Sequence, residues 1–212
     1  MLECFGVSYD EKDGMYSEHL VVLSSISCLN QSIKNILEIG TYDGRTALIL
    51  SKLFVDANIL SIDLPAAGKD FESMYSRKGK VQDFVENRNK NLGANKQIRF
   101  LETNSIALTN IEEKFDLIWV DGGHFFPEVS WDICNAFHYC NTDGHIIVDD
   151  VSEARDGKIS DKVSSDPRNM LEYLKCRLGI DVDFFLKRTD RRSLSDQAKL
   201  KYLGVIRKRE LI

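Results

Sequence analysis

The sequence predicts an α/β protein built on a doubly wound, mostly parallel seven-stranded sheet with an antiparallel hairpin at one edge. Short apolar runs alternate with helical stretches from Asn35 to Asp150, the pattern of buried parallel strands joined by crossover helices. The last two strand-like runs have no helix of clear period between them, so they are expected to pair antiparallel. At 212 residues the chain has the length of one domain with a sizeable core.

The elements follow in order. A helical stretch from Tyr16 to Ser32 ends a segment, residues 1–32, expected to cap the domain core formed by residues 33–212. The run Asn35–Gly40 (NILEIG) is the first strand, RTALILSKLF from Arg45 to Phe54 the first crossover helix, and Asn58–Asp63 (NILSID) the second strand. A polar helix over Val81–Leu92 leads to strands at Ile98–Glu102 and Phe115–Asp121. A helix over Pro127–Tyr139 and the strand His145–Asp150 follow. A helix near Pro167–Leu178 precedes the closing runs Ile180–Leu186 and Tyr202–Arg207. The connections Leu64–Lys80 and Ser152–Asp166 exceed the usual two to six residues. Both leave strand C-termini, where open α/β sheets bind ligands, which makes them candidate acceptor loops.

Composition narrows the function. Twenty-eight basic against 33 acidic side chains give a net charge of −5, which disfavours nucleic acid as the main partner. There is no apolar run long enough to cross a membrane, and the N-terminal residues lack the cationic-then-apolar order of a signal peptide. Five dispersed cysteines without metal spacing fit reduced thiols and a cytoplasmic location. A homo-oligomer is compatible with this reading.

The first strand-to-helix turn carries the cofactor signal. Glu38, Gly40 and Gly44 form E-x-G-x-x-x-G in EIGTYDGRT, with Thr41 and Tyr42 inside the turn. Glycines there let backbone pass close to a ligand and present N–H groups at a helix start. Asp63, nineteen residues beyond Gly44, ends the second strand beside the same crevice, where it can accept from two ribose hydroxyls. Glu38 stands where a dinucleotide site would have glycine; its charge would repel pyrophosphate and suit an ammonium group.

The arrangement resembles motif I of the class I S-adenosylmethionine-dependent methyltransferases, over roughly Ile33 to Arg207. The resemblance implies a Rossmann-like fold and S-adenosylmethionine as methyl donor. Gly40 to Gly44 would lie beneath its methionine part, Asp63 on the ribose, and Asn104 and Ser105 of the TNS segment on the adenine side. The family often has an acid where this chain has Asn104, whose amide oxygen could accept from the adenine amine.

The acceptor side is read from acids. Asp121 ends the fourth strand in VDGGH, and Asp149 and Asp150 end the fifth in IIVDD. In the strand order that the resemblance implies, these two strands are neighbours about 4.8 Å apart, so the carboxylates should converge, and together they would suit Mg²⁺ or Mn²⁺. The alternative is that they are polar strand ends and loop caps. Asp121 would also border the donor. His124, three residues after Asp121, would reach the same crevice mouth and take the acceptor's proton, with Asp121 as the second catalytic group.

Asp-x-x-His followed by an acidic pair resembles the metal-dependent macrocin-type sugar O-methyltransferases, in which those positions supply metal ligands and base. The acidic pair aligns less closely with the Asp-Asn pair of the catechol and caffeoyl-CoA O-methyltransferases, since Asp150 replaces the amide. The N-P-P-Y type tetrapeptide of amine-directed relatives is absent, DGGH standing in its place. The expected activity is metal-assisted O-methylation of a small hydroxylated acceptor. A metal-independent methyltransferase and a non-catalytic donor-binding module are the alternatives.

Other residues read as scaffold. Trp119 is expected in the core, Trp131 and Phe137 on a helix face packed on the sheet, and His19, His138 and His145 as surface or core residues without partners in spacing. Lys69, Arg77, Lys78 and Lys80 mark a solvated loop, and Lys187, Arg188, Arg191 and Arg192 a basic hairpin tip.

Overall fold

The computed structural model describes residues 16–30, 32–68, 71, 81–93, 95–109, 111–152, 164–187 and 201–209. Seven strands form one sheet: β1 Asn35–Ile39, β2 Asn58–Asp63, β3 Ile98–Glu102, β4 Phe115–Val120, β5 Cys140–Ser152, β6 Val182–Leu186 and β7 Lys201–Arg207. Their order is β3-β2-β1-β4-β5-β7-β6. The first five run parallel, and β7 runs antiparallel to both β5 and β6. The doubly wound sheet with its antiparallel edge hairpin is therefore as expected. β5 begins five residues earlier than the expected start at His145, because Cys140 already pairs with Phe115 of β4.

Strand periodicity sorts side chains onto two faces. Leu37, Leu60, Ile118 and Ile146 share one core with Val129, Ile133 and Ala136 of a helix at Glu128–Tyr139 and with Leu171 of a helix at Asp166–Leu178. Ile36, Ile59, Trp119 and Ile147 share the other with Leu23 and Ile26 of the N-terminal helix, Tyr16–Leu29, and Leu50 and Leu53 of the helix Arg45–Leu53. In chain order the helices are α1 Tyr16–Leu29, α2 Arg45–Leu53, α3 Val81–Gly93, α4 Glu128–Tyr139 and α5 Asp166–Leu178. α1 thus covers a sheet face.

Trp119 is fully buried as expected. Phe137 packs on the core, but Trp131, near the start of α4, is 49% exposed and presents its indole to solvent and not to the sheet. Cys134, Cys140 and Cys176 are free thiols. Among the described residues no helix is long and apolar enough to cross a membrane. Most of the two long connections, the loop cations from Lys69 to Lys80, and Arg188, Arg191 and Arg192 lie outside the described residues.

Candidate active site

All five parallel strands end on the same edge of the sheet, and the turns that leave β1, β2, β3 and β4 meet there around one cavity of about 650 Å³. Gly40, Tyr42, Asp63, Asn104, Ser105, Asp121 and His124 line it. Gly40 is required by the crossing of two backbones. It sits at φ +95°, and a Cβ there would lie 2.1 Å from the Asp121 carbonyl oxygen. The turn then bends through Tyr42, itself at φ 52°, whose N–H donates to Asp63 Oδ2 at 2.8 Å. Leu64 N–H donates to Asp63 Oδ1 at 2.7 Å. Two backbone donors thus hold the carboxylate at the cavity edge.

Glu38 takes a different place from the one expected. Strand alternation turns its side chain to the α1/α2 face, where it is fully buried beneath the turn and outside the cavity lining. Its Oε2 accepts from the Ser61 hydroxyl, which also meets Thr41 Oγ1 at 2.7 Å. Burial, opposed in part by the Ser61 hydrogen bond, pushes the carboxyl up to about 8. Glu38 and Thr41 therefore brace the turn from below.

At the far end Asn104 caps a short 3-10 turn, Ser105–Ala107, its amide oxygen accepting from Ile106 N–H at 3.0 Å. That oxygen, expected to accept from an adenine amine, is already engaged by its own backbone. A nearby acid went unnoticed in the sequence. Asp132, 2% exposed on α4, lines the cavity and accepts from Gly123 N–H at 3.2 Å. Burial lifts its carboxyl to about 6 against the hydrogen bonds of Ser105 and Gly123.

The acceptor-side acids do converge. β4 and β5 are neighbours with Val120 opposite Val148, so Asp121, just past β4, and Asp149, inside β5, stand side by side. His124 Nε2 lies 3.9 Å from Asp121 Oδ1 and 3.7 Å from Asp150 Oδ2. What fills the cluster is lysine. Lys187 Nζ is 2.5 Å from Asp149 Oδ1 and 3.0 Å from Asp150 Oδ1, and Lys201 Nζ is 2.5 Å from Asp150 Oδ2. His19, on α1, places Nε2 3.2 Å from Asp149 Oδ2.

Burial alone would raise Asp149. The His19 contact and the Lys187 ammonium outweigh burial and hold Asp149 well below the usual carboxylate range. Asp150 is lowered too, burial and Asp149 being outweighed by Lys187, Lys201 and His124. Asp121 is held well above that range by burial and by the charges of Asp149 and Asp150.

The family model of the methyltransferase domain matches residues 37–151, a span that runs from β1 through β5 and holds every cavity-lining residue named above. That is more than half of the chain. The chain belongs to the methyltransferase domain family. No curated protein matches it significantly by sequence. Among solved structures the domain is similar to the O-methyltransferase TomG of Streptomyces achromogenes, involved in tomaymycin synthesis and solved with S-adenosylmethionine. The TM-score is 0.62 at 14% identity, over 98% of this chain and 86% of that one.

It is also similar to the N-methyltransferase NodS of Bradyrhizobium japonicum, with a TM-score of 0.59 at 15% identity over 92% and 97% of the two chains. A third likeness is to a precorrin-6y C5,15-methyltransferase of Geobacter metallireducens, at 0.59 and 12% over 95% and 93%. At these identities the likeness is one of fold.

Within this methyltransferase domain, Gly40, Tyr42, Asp63, Asn104, Ser105, Asp121 and His124 share the cavity, and Gly44 caps α2 behind it at φ 78°. The expected Mg²⁺ or Mn²⁺ ligands Asp121, Asp149 and Asp150 do not form a donor set for such an ion. Both oxygens of Asp150 face lysine ammoniums, and those of Asp149 face Lys187 and His19. Among the described residues there is no grouping of metal-ligating side chains.

Lys187 is likewise no hairpin tip. It is 1% exposed. His19, read as a residue without a partner, faces Asp149 and packs edge-on against Trp119 at 4.8 Å. His138 and His145 lie outside the cavity lining.

Proposed function

We propose that the chain is an S-adenosylmethionine-dependent methyltransferase that acts on a hydroxyl oxygen of a small molecule, with His124 as proton acceptor. One observation carries this reading: a single cavity has the Gly40–Tyr42 turn and Asp63 on one wall and Asp121 and His124 on another. Its volume lies within the range of ordinary ligand pockets.

The donor's fit rests on the cradle at Gly40, which only a residue without a Cβ can occupy, and on the fixed Asp63 carboxylate. When bound, the donor supplies an electrophilic methyl group on a sulfonium. The chain's own residues do the rest. Asp63 holds the ribose end, Tyr42 and Ile106 flank the cavity with exposed apolar surface, and His124 takes the hydroxyl proton as the oxygen attacks. Asp150, whose carboxyl is held low, lies close enough to steady the imidazolium that forms. Holding oxygen and methyl in line, away from water, supplies much of the acceleration.

The related structures include O-, N- and C5,15-directed enzymes, so fold leaves the acceptor atom open. Oxygen is favoured by an imidazole flanked by carboxylates and by DGGH at the end of β4. Metal assistance, the finer expectation, finds no support in the lysine-filled cluster, and no step is assigned to it. Methyl transfer from labelled donor to a panel of hydroxylated and amine acceptors tests the proposal. Label should enter hydroxyl compounds. Label in amines alone, or in nothing while donor binds, would overturn the oxygen assignment.

A further inference from the structure

We infer that Lys187 is the resident cation of the aspartate cluster, occupying the position of a divalent metal, so that the acceptor side of the cavity works without a metal ion. The inference rests on the reading of this cavity as a methyl-transfer site for its consequence, but cation occupancy can be measured separately.

The geometry is that of a filled site. The Lys187 side chain is fully buried, its ammonium within 3.0 Å of one oxygen from each of Asp149 and Asp150. The remaining oxygens are taken as well, Asp149 Oδ2 by His19 and Asp150 Oδ2 by Lys201. A hard divalent ion needs carboxylate oxygens at roughly 2.0–2.6 Å on several sides. Here it would have to displace two ammoniums, and its charge would be repelled by any that stayed.

The β6–β7 hairpin delivers both cations. Lys187 N–H donates to the Lys201 carbonyl at 2.7 Å, closing the hairpin at these two residues. Lys201 pairs with Ser152 at the end of β5, so both lysines stand beside the strand that carries the aspartates. Asp150 sits at φ 52°, a strained conformation for a residue with a Cβ, and the two ammoniums grip its two oxygens. That arrangement keeps Asp150 Oδ2 near His124 Nε2, making Lys187 a positioning residue that acts through Asp150.

Mn²⁺ binding followed by electron paramagnetic resonance, with thermal melting in parallel, tests this on the full chain. Wild-type protein should bind no Mn²⁺ below millimolar concentration and should melt at the same temperature with and without chelator. Lys187→Met frees Asp149 Oδ1 and Asp150 Oδ1 and leaves Lys201 alone on Asp150 Oδ2, and it should acquire Mn²⁺ binding together with a rise in melting temperature on adding the ion. Adding Asp149→Asn to it should abolish both.

Tight Mn²⁺ binding by the wild type that Asp149→Asn removes would overturn the inference, as would a folded Lys187→Met protein that gains no Mn²⁺ binding. If Lys187→Met does not fold, the wild-type and Asp149→Asn titrations decide alone. A chain that meets these outcomes but binds no methyl donor would refute the proposed function and leave the cation assignment standing.

Discussion

Tyr42 donates its backbone N–H to Asp63 Oδ2 at 2.8 Å, tying the turn after β1 to the end of β2. The bond forms because Tyr42 is held at φ 52° between two glycines that also have positive φ, Gly40 and Gly44. Turn and carboxylate are one unit, so a change to either should be felt in donor affinity.

Gly40→Ala should therefore abolish donor binding and lower stability. The added methyl would meet the Asp121 carbonyl oxygen at 2.1 Å and carbon at 2.5 Å, which are backbone atoms with no rotamer to yield. Strain at such positions costs on the order of 1–3 kcal/mol before any clash is counted. Gly179→Ala is the control. Its φ is +65° with nothing within 4 Å of a Cβ, so it should cost about 1–2 kcal/mol and leave donor affinity unchanged. Calorimetry and thermal melting of both variants check this.

His124→Gln should keep donor affinity and slow methyl transfer by roughly 10²–10⁴. Glutamine can hydrogen-bond to Asp121 and Asp150 but cannot carry a proton away. Single-turnover rates are the readout. A variant as fast as wild type would place the base elsewhere.

Glu38→Gln should flatten the pH dependence of stability. The carboxyl titrates at about 8 when folded against a usual value of 4.5, so the folded state holds a proton that the unfolded chain has lost between those values. Stability from this group is full below pH 4.5, declines as pH rises, and is gone above about 8. Asp132, at about 6 when folded, adds a decline of the same sign over a narrower window. Thermal melts from pH 5 to 9 should show the wild type losing more than the variant at the alkaline end. Parallel curves would place Glu38 in a wetter site than the one under the turn.

The fold was legible because the strands, β5 apart, are short apolar runs of nearly their true length. The adjacency of β4 and β5, and hence the convergence of Asp121 with Asp149, is what the methyltransferase resemblance implies, since alternation alone gives no strand order. Spacing places Glu38 at the turn but does not say which face its side chain takes. Counting alternation from Ile36, which packs against α2, would have turned it beneath the turn.

Lys187 was not legible at all. Its partner Asp149 is 38 residues away, and a lysine ahead of a polar segment carries no mark of burial. Asp132 was hidden for a similar reason. An acid on an amphipathic helix reads as solvent-facing until the loop from Gly122 to His124 folds over it.

Calorimetric titration of S-adenosylmethionine into wild-type protein and Asp63→Ala tests the central claim most directly. The wild type should bind with micromolar affinity. The variant leaves the ribose hydroxyls without a charged acceptor, a loss of about 1.5–3 kcal/mol, or roughly ten- to more than a hundredfold in Kd. Absence of binding in the wild type, or equal affinity in a folded Asp63→Ala protein, would contradict the assignment of this cavity as the methyl-donor site.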